Sequence, residues 1–322
     1  MPPVDPALDS NLVPETKPPE VSRTEVIGID LGGSAIKLGR FQADGTCTAE
    51  AAIATPQPAR PGPVLDAVAV AVRDLDPDRR AIAIGIGTPG PSDADCRVAY
   101  IAINLPDWID VPVADFLETQ TGLPTAVEND ANCAGLGEAW LGASRSVRDS
   151  ILLTLGTGVG GAIVLNGQLF TGRTGAAGEL GLIGIDYNGP ECNSGNHGSL
   201  EQHVCARAIW RDTGKTPAEL GALAGAGDAA AIAYWEQYGQ YLGAGIASLV
   251  YVLMPQAVVL GGGISASAEF FLPATRAEVS RRIVAQSRFE LHILAAELGS
   301  RAGAVGAAKL AWQRFGRLNK QL

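Results

Sequence analysis

Asp130 is placed by its neighbours to take a proton. It lies in ENDANCAGLGEAWLG, residues 128–142, where Asn129 precedes it and a run of small residues follows. This composition predicts a helix starting within a residue or two of Asp130, with its carboxylate facing the unpaired amides of the first turn. Such a position holds an aspartate ionised at neutral pH, the state required of a group that accepts a proton from a hydroxyl. A plain helix cap has the same local pattern, so the evidence for chemistry must come from elsewhere in the chain.

Two glycine loops supply it. Residues 26–39, VIGIDLGGSAIKLG, read as strand, tight turn at Gly32-Gly33, and returning strand. Residues 151–167, ILLTLGTGVGGAIVLNG, repeat the plan. Glycines at such turns let backbone amides close on phosphate oxygens with no β carbon in the way. Two similar loops with an aspartate between them predict a phosphate clamped between two similar lobes. A third candidate is the apolar strand 257–260 running into Gly261, Gly262 and Gly263, with a helical pattern from Ser267. That strand end suits a nucleotide lying against bare backbone.

Two other patterns are excluded. The runs 156–161 and 85–90 both match G-x-G-x-x-G, but Ala-Ile-Val-Leu follows the first and Pro91 the second. Neither opens a helix, as a dinucleotide fingerprint must. No GxxxxGK[ST] is present.

GIDLGGSAIK, GIGTPGP, NLPDW, ENDAN, LGTGVGGAIVLNG, GAAGELG, GNHGSLE and VVLGGGIS, in this order from Val26 to Trp312, resemble the ROK family of sugar kinases and repressors in the hexokinase–actin superfamily. The resemblance implies a two-lobed actin-like (ribonuclease H-like) α/β ATPase fold, each lobe a mixed sheet flanked by helices, closing over a hexose with ATP and Mg²⁺ in the cleft. It implies that Asp130 is the base facing the sugar hydroxyl and that Asp30 is the carboxylate near Mg²⁺, acting through water. Gly32, Gly33, Ser34 and Lys37 resemble the first phosphate loop, and Gly156, Thr157, Gly158 and Gly160 the second. Gly261, Gly262 and Gly263 fall at the nucleotide. Asn104, Asn129, Glu179 and Glu201 resemble the family's sugar contacts. The implied reaction is phosphorylation of a hexose 6-hydroxyl, glucose first, with fructose, mannose or an N-acetylhexosamine as alternatives and a non-catalytic sugar sensor as the rival. Because phosphoryl transfer has a loose transition state, it needs positioning and charge neutralisation more than a strong base.

The chain departs from the family twice. The family's structural zinc uses one histidine and three cysteines, and the positions aligned with them are Leu182, Cys192, Ser194 and Ser199. One thiolate cannot hold a tetrahedral site, so no zinc is expected. Ser199-Leu200-Glu201-Gln202 instead reads as a capping box. Cys192, His197, His203 and Cys205 are conceivable substitute ligands, but two residues apart on a helix His203 and Cys205 diverge. The second departure is GGSxIK at the first loop, which resembles polyphosphate-using relatives. With only five lysines in the chain there is no cationic groove for a polyanion, which favours ATP.

The bulk properties agree. A net charge of −10 with no basic patch argues against nucleic acid. Five scattered cysteines form no disulfide framework, as expected in a reducing cytoplasm. Residues 1–23, with six prolines, read as a flexible tail. The expected lobes are 24–127 with 303–322 (small) and 128–302 (large), and family members pair as homodimers. The uncharged stretch 237–268 is split by Pro255-Gln256, so it reads as a buried helix to Leu253 and a core strand, with no membrane span. Helices are further expected over 65–75, 276–285 and 302–314, and a core strand over 81–87. The five tryptophans are expected in cores or interfaces, and no internal repeat is evident beyond the two glycine hairpins.

Overall fold

The structure is a computed structural model and describes residues 24–102, 105–192 and 194–316. The expectations for the 1–23 tail and for Asn104 lie outside these residues.

The chain begins with strands β1 (Glu25–Leu31), β2 (Ala35–Phe41) and β3 (Cys47–Ala54), followed by helix α1 (Pro61–Leu75) and β4 (Ala81–Thr88). A small hairpin, β5 (Ala99–Ile101) with β6 (Ile109–Val111), precedes α2 (Val113–Thr121). Then come β7 (Thr125–Asn129) and α3 (Asp130–Trp140). The second half opens with β8 (Ser150–Leu155), β9 (Val159–Leu165) and β10 (Gln168–Leu169). Five helices follow: α4 (Glu201–Val204), α5 (Ala206–Thr213), α6 (Pro217–Gly225), α7 (Ala229–Leu253) and, after β11 (Ala257–Gly261), α8 (Ala268–Arg282). The chain closes with α9 (Ala285–Arg288), β12 (His292–Ala295) and α10 (Ala302–Phe315).

Two five-stranded sheets share one plan. The first runs β3-β2-β1-β4-β7 and the second β10-β9-β8-β11-β12. In each, the first three strands form an antiparallel meander and the last two join it in parallel. The repeat therefore extends well beyond the glycine hairpins that the sequence reveals. β1, β4, β7, β8 and β11 are almost wholly buried, which is why they read as continuous apolar runs rather than alternating ones. One core gathers Ile27, Ile29, Val64, Trp108 and Leu117 on the first sheet. The other gathers Leu153, Trp235, Tyr238, Leu242 and Phe271 on the second.

Several expected boundaries shift for physical reasons. α1 starts at Pro61, four residues before Leu65, because proline suits the first helical turn. The helical patterns from Ser267 and over 276–285 belong to one helix, α8, entered through a 3-10 turn over Gly263–Ser267. The capping box at Ser199 does not form: Ser199 is drawn into a bridge with Gly184, its hydroxyl has no partner, and Leu200 occupies the cap position. His203 and Cys205 do not share a helix, since Cys205 ends α4 and caps α5 through its sulfur. Trp108 and Trp235 are core, whereas Trp210 is 59% exposed. The uncharged stretch resolves into α7 and β11 as expected. Among the described residues, no helix is long and apolar enough to cross a membrane.

Candidate active site

Helix α3 begins at Asp130, immediately after β7. The side chain of Asn129, not Asp130, caps it, accepting from the Asn132 amide at 3.1 Å. Both hydrogen bonds to the Asp130 carboxylate fall on Oδ1, from the Ala131 amide at 2.8 Å and from Asn129 Nδ2 at 3.1 Å. Asp130 is open to solvent, yet surrounding protein desolvates it and raises its pKa above the usual aspartate value, with these two hydrogen bonds opposing the shift. It is therefore accessible to solvent while protein crowds its carboxylate. Burial thus outweighs the two hydrogen bonds in setting the direction of the shift.

Asp30, near the end of β1, pairs across the ladder with Lys37 of β2. Burial and the nearby Asp130 charge push its pKa up to about 6, with Lys37 pulling the other way. The Lys37 ammonium donates to the Ser300 carbonyl at 3.0 Å. It thus ties β2 to the turn before α10. The first loop is braced by Thr55 Oγ1 donating to the Gly32 carbonyl at 2.6 Å and Gln57 Nε2 donating to the Gly33 carbonyl at 2.9 Å. Ser34 accepts from the Thr55 amide through its carbonyl.

The second loop joins β8 to β9. The Gly156 amide donates to the Gly158 carbonyl at 3.0 Å, and the Gly156 carbonyl accepts from Ala206 at 2.8 Å. Arg207 reaches the Thr157 carbonyl. A β carbon on Gly160 would lie 3.3 Å from the Ala131 side chain, so this hairpin touches the start of α3. The third glycine run adjoins the same place. Gly262 has φ +87°, and a β carbon there would strike the Leu155 backbone at the end of β8. Gly261 ends β11, and Gly263 opens onto empty space.

Glu201 caps the second loop from outside, its Oε2 accepting from the Val159 amide at 2.9 Å. Glu179 precedes a short 3-10 turn, Leu180–Leu182. Desolvation by the cleft walls, then the charges of Glu201 and Asp130, raise its pKa. The structure thus brings Asp30, Asp130, Glu179 and Glu201 together beside two glycine hairpins. Asn129 is present, but its two N–H donors already serve Asp130 and the Gly90 carbonyl, the latter at 3.1 Å.

Sequence reasoning missed Glu128, Asn132 and Ser92, which form a buried polar cluster directly behind Asp130. The available signal was a carboxylate inside the apolar strand 125–129. The residues present do not fit the family's zinc. Leu182, Ser194 and Ser199 offer no thiolate or imidazole, and backbone bonds such as Leu200 N–H to Ile183 and Cys192 N–H to Asn196 hold the segment instead. Among the described residues, no group of three or more His, Cys, Asp or Glu could hold a metal ion.

Two sheets of one strand order, each offering a glycine hairpin to a shared acidic cleft, define a two-lobed protein of the actin-like ATPase fold. Within that class the ROK family model matches residues 26–314, and the chain belongs to the ROK family. The glucokinase of Thermotoga maritima is 32% identical over 314 residues, covering 91% of this chain and 99% of the relative. The crystal structure of a ROK hexokinase from Thermus thermophilus aligns with a TM-score of 0.81 at 36% identity, covering 91% of this chain and 99% of that one. A ROK family glucokinase from Streptomyces griseus, in complex with glucose and AMPPNP, aligns with a TM-score of 0.73 at 33% identity, covering 90% and 99%.

Proposed function

We propose that this protein is an ATP-dependent hexokinase that phosphorylates the 6-hydroxyl of glucose. The observation that carries the reading is Asp130: a solvent-accessible carboxylate with both hydrogen bonds on one oxygen, beside the glycine hairpin at Gly160 and close to Asp30. Its other oxygen is left to receive the hydroxyl proton as the sugar oxygen attacks the γ-phosphorus and ADP departs. Glu179 and Glu201 accept from the sugar hydroxyls, and Asn129 orients Asp130. The loops at Gly32, Gly33, Ser34 and at Gly156, Thr157, Gly158, Gly160 turn backbone amides toward the phosphates. Gly261, Gly262 and Gly263 lie along the nucleotide. Asp30 fits a Mg²⁺ position, since burial and Asp130 leave it with uncompensated negative charge that a hydrated cation relieves. Bound there, the ion would neutralise charge on the phosphates.

The relatives named glucokinase, and the neighbour that holds glucose and AMPPNP, support the same substrates. The reading also assigns residues 24–127 with 303–322 to a small lobe and 128–302 to a large one, in a cytoplasmic homodimer. The cysteines at 47, 96, 133, 192 and 205 are all free thiols, which suits that compartment.

ADP release with ATP·Mg²⁺ across glucose, fructose, mannose, N-acetylmannosamine and N-acetylglucosamine tests the assignment. Turnover on glucose is expected, and sugar binding without turnover on any of the five would favour a sensor. Asp130→Asn is expected to lower turnover about a hundredfold or more while glucose binding, read by calorimetry, stays within about tenfold. Intact turnover in that variant would remove Asp130 as the base.

A further inference from the structure

Glu128 is the penultimate residue of β7 and is 2% exposed. Its Oε1 accepts three hydrogen bonds: from Ser92 Oγ at 3.2 Å, from the Asn129 amide at 2.8 Å and from Asn132 Nδ2 at 3.0 Å. Burial pushes its pKa up, while these three bonds and the charge of Arg314, which shares with it the lining of a cavity of about 150 Å³, oppose the shift. Burying a carboxylate is costly unless its bonds do something that an apolar side chain could not.

What these bonds do is fix Asn129. Glu128 holds the Asn129 amide directly. It also holds the side chain of Asn132, whose own amide donates to Asn129 Oδ1 at 3.1 Å. With both ends of Asn129 held, its Nδ2 is aimed at Asp130 Oδ1 and the Gly90 carbonyl. Ser92 extends the arc outward: a β carbon on Gly175 would strike its carbonyl oxygen, so the cluster also touches the segment leading to Glu179. We propose that Glu128 is a positioning residue for the base, acting through Asn129 and Asn132 to keep Asp130 Oδ1 engaged and its second oxygen turned to the sugar. This inference rests on the reading of Asp130 as the base.

The test uses the full chain and three variants: Glu128→Ala, Glu128→Gln and Asp130→Asn. Glu128→Ala is expected to lower kcat about thirtyfold, with KM for glucose within about threefold, because misalignment costs rate more than binding. Glu128→Gln retains an oxygen that accepts the same three bonds, and is expected to recover kcat to within about threefold of the parent. In the Asp130→Asn background, Glu128→Ala is expected to cost nothing further, since its effect passes through the side chain already removed.

An unchanged kcat in Glu128→Ala overturns the proposal. So does an additive loss in the double variant, which marks a merely structural role. If Asp130→Asn itself retains turnover, the base assignment fails first, and that failure is separate from an additive cycle. Should Glu128→Ala fail to fold, Ser92→Ala removes one of the three bonds. It is then expected to lower kcat about threefold at unchanged KM, again with no cost in the Asp130→Asn background. An additive loss there likewise overturns the proposal.

Discussion

Asp30 carries charge that the ligand-free fold does not want. Its pKa is pushed up to about 6, first by burial and then by Asp130, so the folded protein binds a proton there more tightly than the unfolded chain does. The contribution to stability is therefore greatest below the unfolded aspartate value near 4, and it is lost as pH rises through about 6. Asp30→Asn is expected to stabilise the ligand-free protein by about 1–2 kcal/mol at pH 7.5, after allowance for solvent screening. The gain should shrink to nearly nothing by about pH 4. Melting curves of both proteins across that range check it, and a gain independent of pH would show that the charge is not its source. If Asp30 holds Mg²⁺ as proposed, activity should fall in the same variant, since the unfavourable charge would be the one a phosphate-bound cation needs. Asp130 was legible in sequence because it precedes a run of small residues at a helix start, and Asp30 through the resemblance of GIDLGGSAIK to the family's first loop. Glu128 was not: one carboxylate in a five-residue strand carries no mark that its partners are Ser92, 36 residues away, and Asn132.

Helix α10 owes its place to small residues. Its Gly306 packs so closely on α3 that a β carbon would strike the Cys133 carbonyl, and on the other side Gly28 and Gly85 meet the Ala304 and Ala307 carbonyls. The buried Glu138 carboxylate, at the far end of α3, pins the same junction by accepting from the Glu297 amide at 3.1 Å and the Leu298 amide at 2.9 Å. Gly306→Ala is expected to cost about 1–3 kcal/mol through overpacking, lowering the melting temperature by several degrees. Gly62→Ala in α1, where nothing lies within 4 Å of the added carbon, is the control and should be neutral or slightly stabilising. Equal effects at the two sites would mean that the α3–α10 contact is loose. The periodicity of 302–314 announces a helix, and Pro255 separates α7 from β11, so both were readable. The partner of α10 was not, because glycine and alanine at a helix crossing look the same as glycine and alanine in any helix. The repeated sheet topology was hidden for a related reason: the two halves share strand order and glycine hairpins but no run of side chains.

Across the whole molecule, the two sheets and the segments between them bring the proposed sugar groups and the proposed phosphate loops together, and Glu201 touches both. Its carboxylate holds the Val159 amide, which fixes the second glycine hairpin, while its charge bears on Glu179 beside Asp130. Under the proposed assignment, a sugar that engages Glu201 and Glu179 restrains the loop proposed to receive the nucleotide, and part of the ordering cost of nucleotide binding is met before the nucleotide arrives. Positive coupling follows. Saturating glucose is expected to tighten AMPPNP binding about fivefold or more, and saturating AMPPNP must tighten glucose by the same factor. Calorimetric titrations in both orders measure it. Glu201→Gln keeps an oxygen for the Val159 amide but removes the charge that Glu179 feels, so it should weaken glucose binding and reduce the coupling together. AMPPNP affinity that ignores glucose in the parent protein would show that the hairpin is rigid from the outset, and that Glu201 serves the sugar alone.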